Sequence, residues 1–391
     1  MIFDEMTDRR GTNSVKWDSR PDMPDDVIPM WVADMDFKTY PPIVDALRRR
    51  VDQGIFGYTY VPKSYYEAID RWFGKYHGWH IPASQVIYTS GVVPALSAII
   101  KALTIPGDSV IAQTPVYNLF FTSIRNNGCY LADNRLKVTD EGTSYEIDFD
   151  NLEALASDPR CKMLILCNPQ NPGGRVWTPD ELRRVAEICR DNDVVVVSDE
   201  IHCELTYGRE YTPFALVASG CQWVSCTSPS KAFNIAGLQI ANIVCPDPKM
   251  RAKIDRAIND NEVCDVNPFG VIALQEAYTD GGHQWLSELC SYIHANYETL
   301  LHFFREKFPT FKVYKLEGTY LAWIDFRALG MKSEDLEEYI IREAHVWLNA
   351  GDMYGSDGEG YLRVNLACPK ERLLTALDRL KPALDKLTGK I

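Results

Sequence analysis

The chain has 391 residues, 46% hydrophobic and 24% charged, the make-up of an ordinary soluble globular protein long enough to bury a large core. The formal net charge is −13, and the one concentrated basic run, Arg48-Arg49-Arg50, sits in a helical pattern, which argues against a nucleic-acid partner. The 11 cysteines are scattered without a Cys-x-x-Cys, and Cys167, Cys189, Cys226 and Cys245 lie in apolar runs, so they read as buried reduced thiols. His77-Gly78-Trp79-His80 has no cysteine or carboxylate at ligand spacing, so no metal is expected. Met1-Ile2-Phe3-Asp4-Glu5-Met6 is not an apolar leader and no run of 18 apolar residues occurs, so the expectation is a cytoplasmic protein without membrane contact.

Residues 1–40 read as irregular, rich in Asp, Pro and Met, and Pro41-Pro42 then opens a helix over 43–53. From about 85 to 245, short apolar runs alternate with helical periodicity. The runs are 85–90, 109–113, 162–167, 193–198, 223–227 and 239–245, with helices over 95–103 and 179–192 between them. Thr178 is placed to cap the second helix, with Pro179 in its first position and Glu181 completing a capping box. This alternation predicts an α/β fold with a mostly parallel, doubly wound sheet covered on both faces. After about 285 the pattern becomes helix 284–307, strands 311–316 and 320–325, helix 333–343, strands 346–349 and 361–365, and a last helix from 370, a smaller α+β domain. The expected division is an N-terminal segment, 1–45, joining a small domain, 285–391, with a large domain over 46–284.

In open α/β sheets, ligands bind at the carboxyl ends of strands, where the polar motifs of this chain fall. Ser228-Pro229-Ser230-Lys231 follows the run 223–227. A lysine there can lose solvation and become a nucleophilic amine, while the hydroxyls of Ser228 and Ser230 and nearby amides hold a phosphate. The same Ser-x-x-Lys spacing occurs in serine hydrolases of the penicillin-binding type. Asp199, closing the run 193–198, tips the reading: a lysine for an aldehyde and an aspartate for a pyridinium nitrogen are what pyridoxal phosphate needs. Ser90-Gly91-Val92-Val93 reads as a plain strand–helix turn or, within this constellation, as a phosphate site, Gly91 allowing a tight turn and Val92 and Val93 offering free amides. Tyr117 is placed to stack on a ring, Asn171 in Asn168-Pro169-Gln170-Asn171-Pro172 to donate to a phenolate oxygen, and His202, three residues after Asp199, to hydrogen-bond the same oxygen. Arg363 lies on an alternating strand; a guanidinium there could clamp a carboxylate, but spacing alone favours a surface-facing arginine.

Together these residues resemble the fold-type-I pyridoxal-phosphate enzymes of the aminotransferase class I/II superfamily, nearly end to end. Within it the chain is most similar to the MalY/PatB-type cystathionine β-lyase (C–S lyase) branch. The resemblance rests on Met30-Trp31-Val32-Ala33-Asp34-Met35-Asp36-Phe37, Ile55-Phe56-Gly57-Tyr58-Thr59, Thr89-Ser90-Gly91-Val92-Val93, Cys167 to Pro172, Ser198-Asp199-Glu200-Ile201-His202, and Pro229 to Gln239. It implies that Lys231 bonds the cofactor and removes the substrate α-proton, with Asp199 at the pyridinium, Asn171 and His202 near the phenolate, and Tyr117 on the ring. It implies that Asn171 and Arg363 hold the substrate carboxylate, that Ala33 and Asp34 line its pocket, and that Tyr58 reaches the phosphate of the other subunit of a homodimer. Aminotransferases of the superfamily usually carry a phosphate-gripping arginine where this chain has Gln239, and commonly a tyrosine where it has His202. Both departures favour β-elimination of a thiol from a small amino-acid substrate over transamination. The rival readings are an aminotransferase and, in another class, a regulatory protein-binding member of the same fold, for which no sequence feature marks a surface.

Overall fold

The structure is a computed structural model and describes residues 2–139, 141–260 and 266–389. Seven strands form the main sheet, in chain order β2 (Val86–Thr89), β3 (Ser109–Ala112), β4 (Tyr130–Asp133), β7 (Cys161–Cys167), β8 (Val195–Asp199), β9 (Trp223–Thr227) and β10 (Ala241–Val244). Two short strands, β5 (Lys137–Val138) and β6 (Tyr145–Glu146), pair apart from it, and β1 (Ile28–Pro29) lies in the N-terminal segment. The order across the sheet is β2-β10-β9-β8-β7-β3-β4; β10 alone runs against its neighbours. Every residue of β8 is buried, as a strand covered by helices on both faces must be. Parallel strands point their carboxyl ends the same way, so Ser90, Tyr117, Asn171, His202 and Lys231, which follow β2, β3, β7, β8 and β9, emerge along one edge.

A second sheet, ordered β11-β12-β15-β14, contains β11 (Lys312–Val313), β12 (Leu321–Asp325), β14 (Asn349–Ala350) and β15 (Tyr361–Asn365), all antiparallel. The apolar run 346–349 is not one strand. Its first half, β13 (Val346–Trp347), pairs in parallel with β1, and its second half, β14, pairs with β15. One stretch of chain therefore ties the N-terminal segment to the second sheet.

Local chemistry explains the helix ends. Helix Pro41–Asp52 begins at its prolines, and Pro179–Asp191 carries the full capping box between Thr178 and Glu181. The long helix Asp280–Lys307 starts earlier than its hydrophobic periodicity suggests, because the Thr279 hydroxyl accepts the Gly282 amide at 3.1 Å. Gly282 is needed there: a Cβ would stand 2.0 Å from the Ala277 carbonyl oxygen. Helix Lys63–His77 and strand β4 lie outside the expected elements; the helix buries Tyr65, Ala68, Ile69, Trp72 and Phe73, a helical stripe.

The ten described cysteines are all free thiols, nine of them buried, and Cys264 lies outside the described residues. They are divided among separate cores: Cys161, Cys189 and Cys221 in one, Cys129, Cys167, Cys226 and Cys245 in another, Cys203 and Cys368 in a third. His77 and His80 are engaged with carboxylates, His77 with Glu204 at 3.0 Å and His80 with Asp70 at 3.2 Å. No described helix is long and apolar enough to cross a membrane.

Candidate active site

A cavity of about 420 Å³ opens at the carboxyl edge of the main sheet. It is lined by Ser90, Gly91, Val92, Val93, Tyr117, Asn171, Asp199, His202, Ser230 and Lys231 from that sheet's side, and by Ala33 and Arg363 from across it.

Lys231 stands just after β9, and its Nζ donates to the carbonyl oxygen of Ala33 at 2.7 Å. Burial, with the Arg363 cation nearby, lowers its amine to about 8, so a sizeable fraction is neutral near physiological pH. Asp199, the last residue of β8, is buried; burial pushes its carboxyl up to about 7, with only the Ile201 amide at 3.1 Å and the more distant Lys231 opposing. A buried carboxylate so poorly compensated is a partner waiting for a cation. The His202 Nδ1 is buried without a hydrogen-bond partner, and burial, with the charges of Lys231 and Arg363, holds the imidazole well below its usual range, hence neutral. Burial drives the Tyr117 hydroxyl up to about 12, so it stays protonated.

Arg363 overturns what spacing alone suggests: it is 4% exposed and turned inward. Its Nη1 donates to Asn171 Oδ1 at 3.1 Å and its Nη2 to the Trp31 carbonyl at 2.8 Å, and the guanidinium lies 5.0 Å from the Tyr354 ring centroid. Taking the Asn171 oxygen as acceptor leaves that amide's Nδ2 as the donor to a ligand.

At the other end of the cavity, helix Val92–Leu103 begins at Gly91 with no side-chain cap. Pro94 has no N–H, so the amides of Val92 and Val93 are the first-turn donors an anion can use. Gly91 does not make the tight turn expected of it. Its φ is 174°, extended backbone open to any residue, and a Cβ would merely sit 3.3 Å from Pro94 Cδ.

Three expected site residues do not line the cavity. The Asp34 carboxylate turns away to Arg9, at 2.7 Å, and only its neighbour Ala33 reaches the site. Ser228 is already engaged: its Oγ donates to the Ile240 carbonyl at 2.5 Å and accepts the Ser230 amide at 3.1 Å. Tyr58 is 95% exposed, in a segment without regular structure, and touches nothing in the cavity of its own chain. Gln239, in the left-handed region at φ 54°, lies outside this cavity too and lines a neighbouring cleft that shares Ser90 and Pro94.

The structure adds residues that the sequence does not announce. Trp31, Leu119, Asn349, Met353 and Tyr354 also line the cavity. The Tyr320 hydroxyl donates at 2.7 Å to the same Ala33 carbonyl that holds Lys231. Beneath that carbonyl lies an ionic cluster. The fully buried Asp36 carboxylate meets Arg372 at 2.8 Å, Lys16 at 3.0 Å and Arg9 at 3.0 Å, and accepts from Trp17 Nε1 at 3.1 Å. Burial opposes its ionisation, but these cations outweigh it and hold the carboxyl below its usual range. The Asn365 amide adds a clamp, donating to the carbonyls of Val32 and Asp34, both at 2.6 Å. Long-range pairing of this kind leaves no local motif; its only visible trace is the stretch Met30 to Phe37.

Known proteins match this chain in sequence and in shape over nearly its whole length. Cystathionine beta-lyase PatB of Bacillus subtilis is 41% identical over 98% of this chain and 100% of its own. The structure of cystalysin from Treponema denticola, which contains a pyridoxal 5′-phosphate cofactor, superposes with a TM-score of 0.94 at 36% identity, covering 98% of this chain and 99% of that one. The PLP-bound C–S lyase from Staphylococcus hominis superposes with a TM-score of 0.91 at 32% identity, with the same coverages, 98% and 99%. Residues 25–380 match the family described as aminotransferase class I and II, and with relatives this similar over nearly its whole length, the chain belongs to that family.

Proposed function

We propose that the chain is a pyridoxal-phosphate-dependent carbon–sulfur β-lyase that cleaves L-cystathionine or related cysteine S-conjugates to a thiol, pyruvate and ammonia. The observation that carries this is the meeting, in one cavity, of the Lys231 amine, the buried Asp199 carboxyl and the inward-turned Arg363 guanidinium. The residues fit the cofactor. Asp199 would hold its ring nitrogen, His202 Nδ1 and Asn171 Nδ2 would face its phenolate oxygen, and Tyr117 would lie on its ring. The amides of Val92 and Val93, with Ser90 and Ser230, would take the phosphate. When bound, pyridoxal phosphate supplies an electron-withdrawing ring that accommodates the negative charge left at the substrate Cα.

The chain's own residues do the rest. Arg363 binds the substrate carboxylate, with Asn171 fixing the guanidinium plane. Lys231, once free, is neutral often enough to take the proton from Cα as general base. The Ala33 carbonyl, 2.7 Å from its Nζ, keeps that nitrogen on one side of the cleft. Loss of a thiolate from Cβ then needs no strong acid.

We further infer a homodimer in the cytoplasm. Ile55, Phe56, Tyr58 and Tyr60 are exposed on one irregular segment, an apolar surface that a second copy would cover, bringing Tyr58 to the neighbouring phosphate. The free buried thiols accord with a reducing compartment. We divide the chain as 1–45 with 285–391, and 46–284, a division supported by the β1–β13 pairing.

The test is to incubate the cofactor-loaded protein with L-cystathionine, without a keto acid, and follow pyruvate and free thiol together. Equal release of both is expected. Release of neither, with a new amino acid appearing once a keto acid is added, would make it an aminotransferase.

A further inference from the structure

The segment that carries Ala33 meets the loop that carries Lys231 through side chains. Among the described residues, no main-chain to main-chain hydrogen bond joins 30–39 to 228–240, whereas five hydrogen bonds made by side chains do. One is the Lys231 amine on the Ala33 carbonyl, and one is the Thr39 hydroxyl, which donates to the Phe233 carbonyl at 2.6 Å. The other three belong to Asn234. Its Oδ1 accepts the Met35 amide at 3.0 Å, and its Nδ2 donates to the Met35 carbonyl at 3.0 Å and to the Phe37 carbonyl at 2.9 Å. These partners fix which way the amide faces, since an N–H needs the oxygen and two carbonyls need the nitrogen. Asn234 itself stands in the left-handed region, φ 53°, which asparagine tolerates better than most residues. That turn brings the chain back on itself after Lys231, the Ile235 amide donating to the Ser230 carbonyl at 3.0 Å. The links close a ring: from Lys231 along the loop to Asn234, across to Met35, back to Ala33, and from its carbonyl to the lysine amine at 2.7 Å. On its other side Ala33 is held from the second sheet, by Asn365 on the flanking carbonyls and by the Tyr320 hydroxyl.

We propose that Asn234 is a positioning residue: it holds the Ala33 carbonyl against the Lys231 amine, and so sets where the freed amine rests and how readily it gives up a proton. A carbonyl that accepts from Nζ favours the ammonium over the neutral amine. The charges that act on the amine come from other elements: Arg363 from β15, Asp199 from β8, and Asp34, which Arg9 holds at 2.7 Å; His202, after β8, is neutral. When the ring is cut the carbonyl is free to withdraw while Arg363 and Asp199 stay. The amine then becomes less basic and less well aimed at the substrate Cα. The inference rests on the β-lyase reading for its kinetic consequence, and on the ring alone for the basicity of the lysine.

Asn234→Gly tests the proposal, because glycine keeps the left-handed backbone without strain while deleting all three hydrogen bonds. Thr39→Val is the comparison: it cuts the other side-chain link between the same two segments, farther along the chain from Ala33. Competitive labelling of the full-length apoprotein with acetic anhydride, read on the Lys231 peptide by mass spectrometry, gives the midpoint of the amine's titration. Asn234→Gly is expected to move that midpoint down from about 8 by about half a unit or more, and Thr39→Val to leave it in place. In the cofactor-loaded enzyme, kcat for pyruvate from L-cystathionine is expected to fall about tenfold or more in Asn234→Gly, with KM changed by less than about threefold, because a misplaced base costs rate before it costs binding. Should Asn234→Gly not fold, as judged by far-ultraviolet dichroism, Asn234→Ser, too short to make all three bonds, is expected to shift both quantities in the same direction. An unmoved midpoint, an unmoved kcat, or an equal shift in Thr39→Val overturns the inference and leaves the lyase reading standing. A lowered midpoint in Asn234→Gly, with no pyruvate from the unaltered enzyme, upholds the effect on the lysine and overturns the lyase reading.

Discussion

On the main-sheet side of the cleft, each working side chain stands within five residues of the strand that places it: Lys231 after β9, His202 after β8, Asn171 after β7, Tyr117 after β3. On the opposite side the Ala33 carbonyl is placed by residues scattered from Arg9 to Arg372, gathered on the buried Asp36 carboxylate. The first wall is rigid because a hydrogen-bonded sheet holds it. The second is rigid only so long as an ionic cluster with a net excess of cations stays assembled, and its residues meet only in the finished fold. A chain can thus build half of a site from short-range order and the other half from long-range charge, and the two halves should fail differently.

Removing the working group of the first wall has the largest effect. Lys231→Ala is expected to reduce pyruvate release by about 10³-fold or more with the far-ultraviolet dichroism unchanged, since general-base catalysis is lost and no packing is. Retention of wild-type turnover would break the assignment.

Asp199 sharpens the comparison through pH. Its folded pKa, about 7, lies above the ordinary aspartate value of 3.8, so between those values the folded apoprotein binds more protons than the unfolded chain. Its contribution is therefore fully present below about 4 and is lost as pH rises through 7. In apoprotein melts, Asp199→Asn should gain on wild type across that window, by at most on the order of 4 kcal/mol. A pH-independent difference between the two would mean that Asp199 is not the buried, uncompensated group described here.

The second wall should fail as a structure before it fails as chemistry. Asp36→Asn leaves Arg372 buried without its anion and Lys16 with only the Asp34 carboxylate, at 3.7 Å, and a loss of about 3 kcal/mol in urea unfolding is expected. An unchanged midpoint would show that the cluster does not hold the N-terminal segment.

Tyr320→Phe is the mildest change. It removes one of two donors from the Ala33 carbonyl, worth about 1 kcal/mol. The expectation is a fall in kcat of up to about tenfold, with KM little altered, because Tyr320 positions Lys231 through Ala33 and does not line the substrate cavity.

The same contrast explains what was legible in the sequence. The strand runs of the main sheet, β4 apart, the capping box of Pro179–Asp191 and the strand-end motifs are local, and the structure has them where periodicity and turn chemistry put them, whereas the expected run 311–316 shrinks to β11. The split of 346–349 into β13 and β14 was not legible, because it depends on which partner each half meets. Arg363 looked like a surface residue from alternation alone, since nothing near it in sequence reveals that Asn171 and the Trp31 carbonyl will cover it. Ser228 reads as a phosphate ligand because its hydroxyl is in the right motif; only the fold shows the Ile240 carbonyl already using it. Asp36 was visible as a residue of the Met30 to Phe37 stretch but not as a hub, because its three cations come from positions 9, 16 and 372.

The thiols distributed among the cores have a use beyond filling space. Burial favours the protonated form of seven of them, raising Cys161, Cys221 and Cys245 to about 11, Cys368 to about 12, and Cys189, Cys203 and Cys226 well above their usual range. A protonated, sequestered thiol reacts with an alkylating reagent only when its surroundings open. The order in which Cys189, Cys226 and Cys368 acquire label would therefore time the opening of three separate parts of the molecule, with no engineered probe, and would say which part of the fold comes undone first.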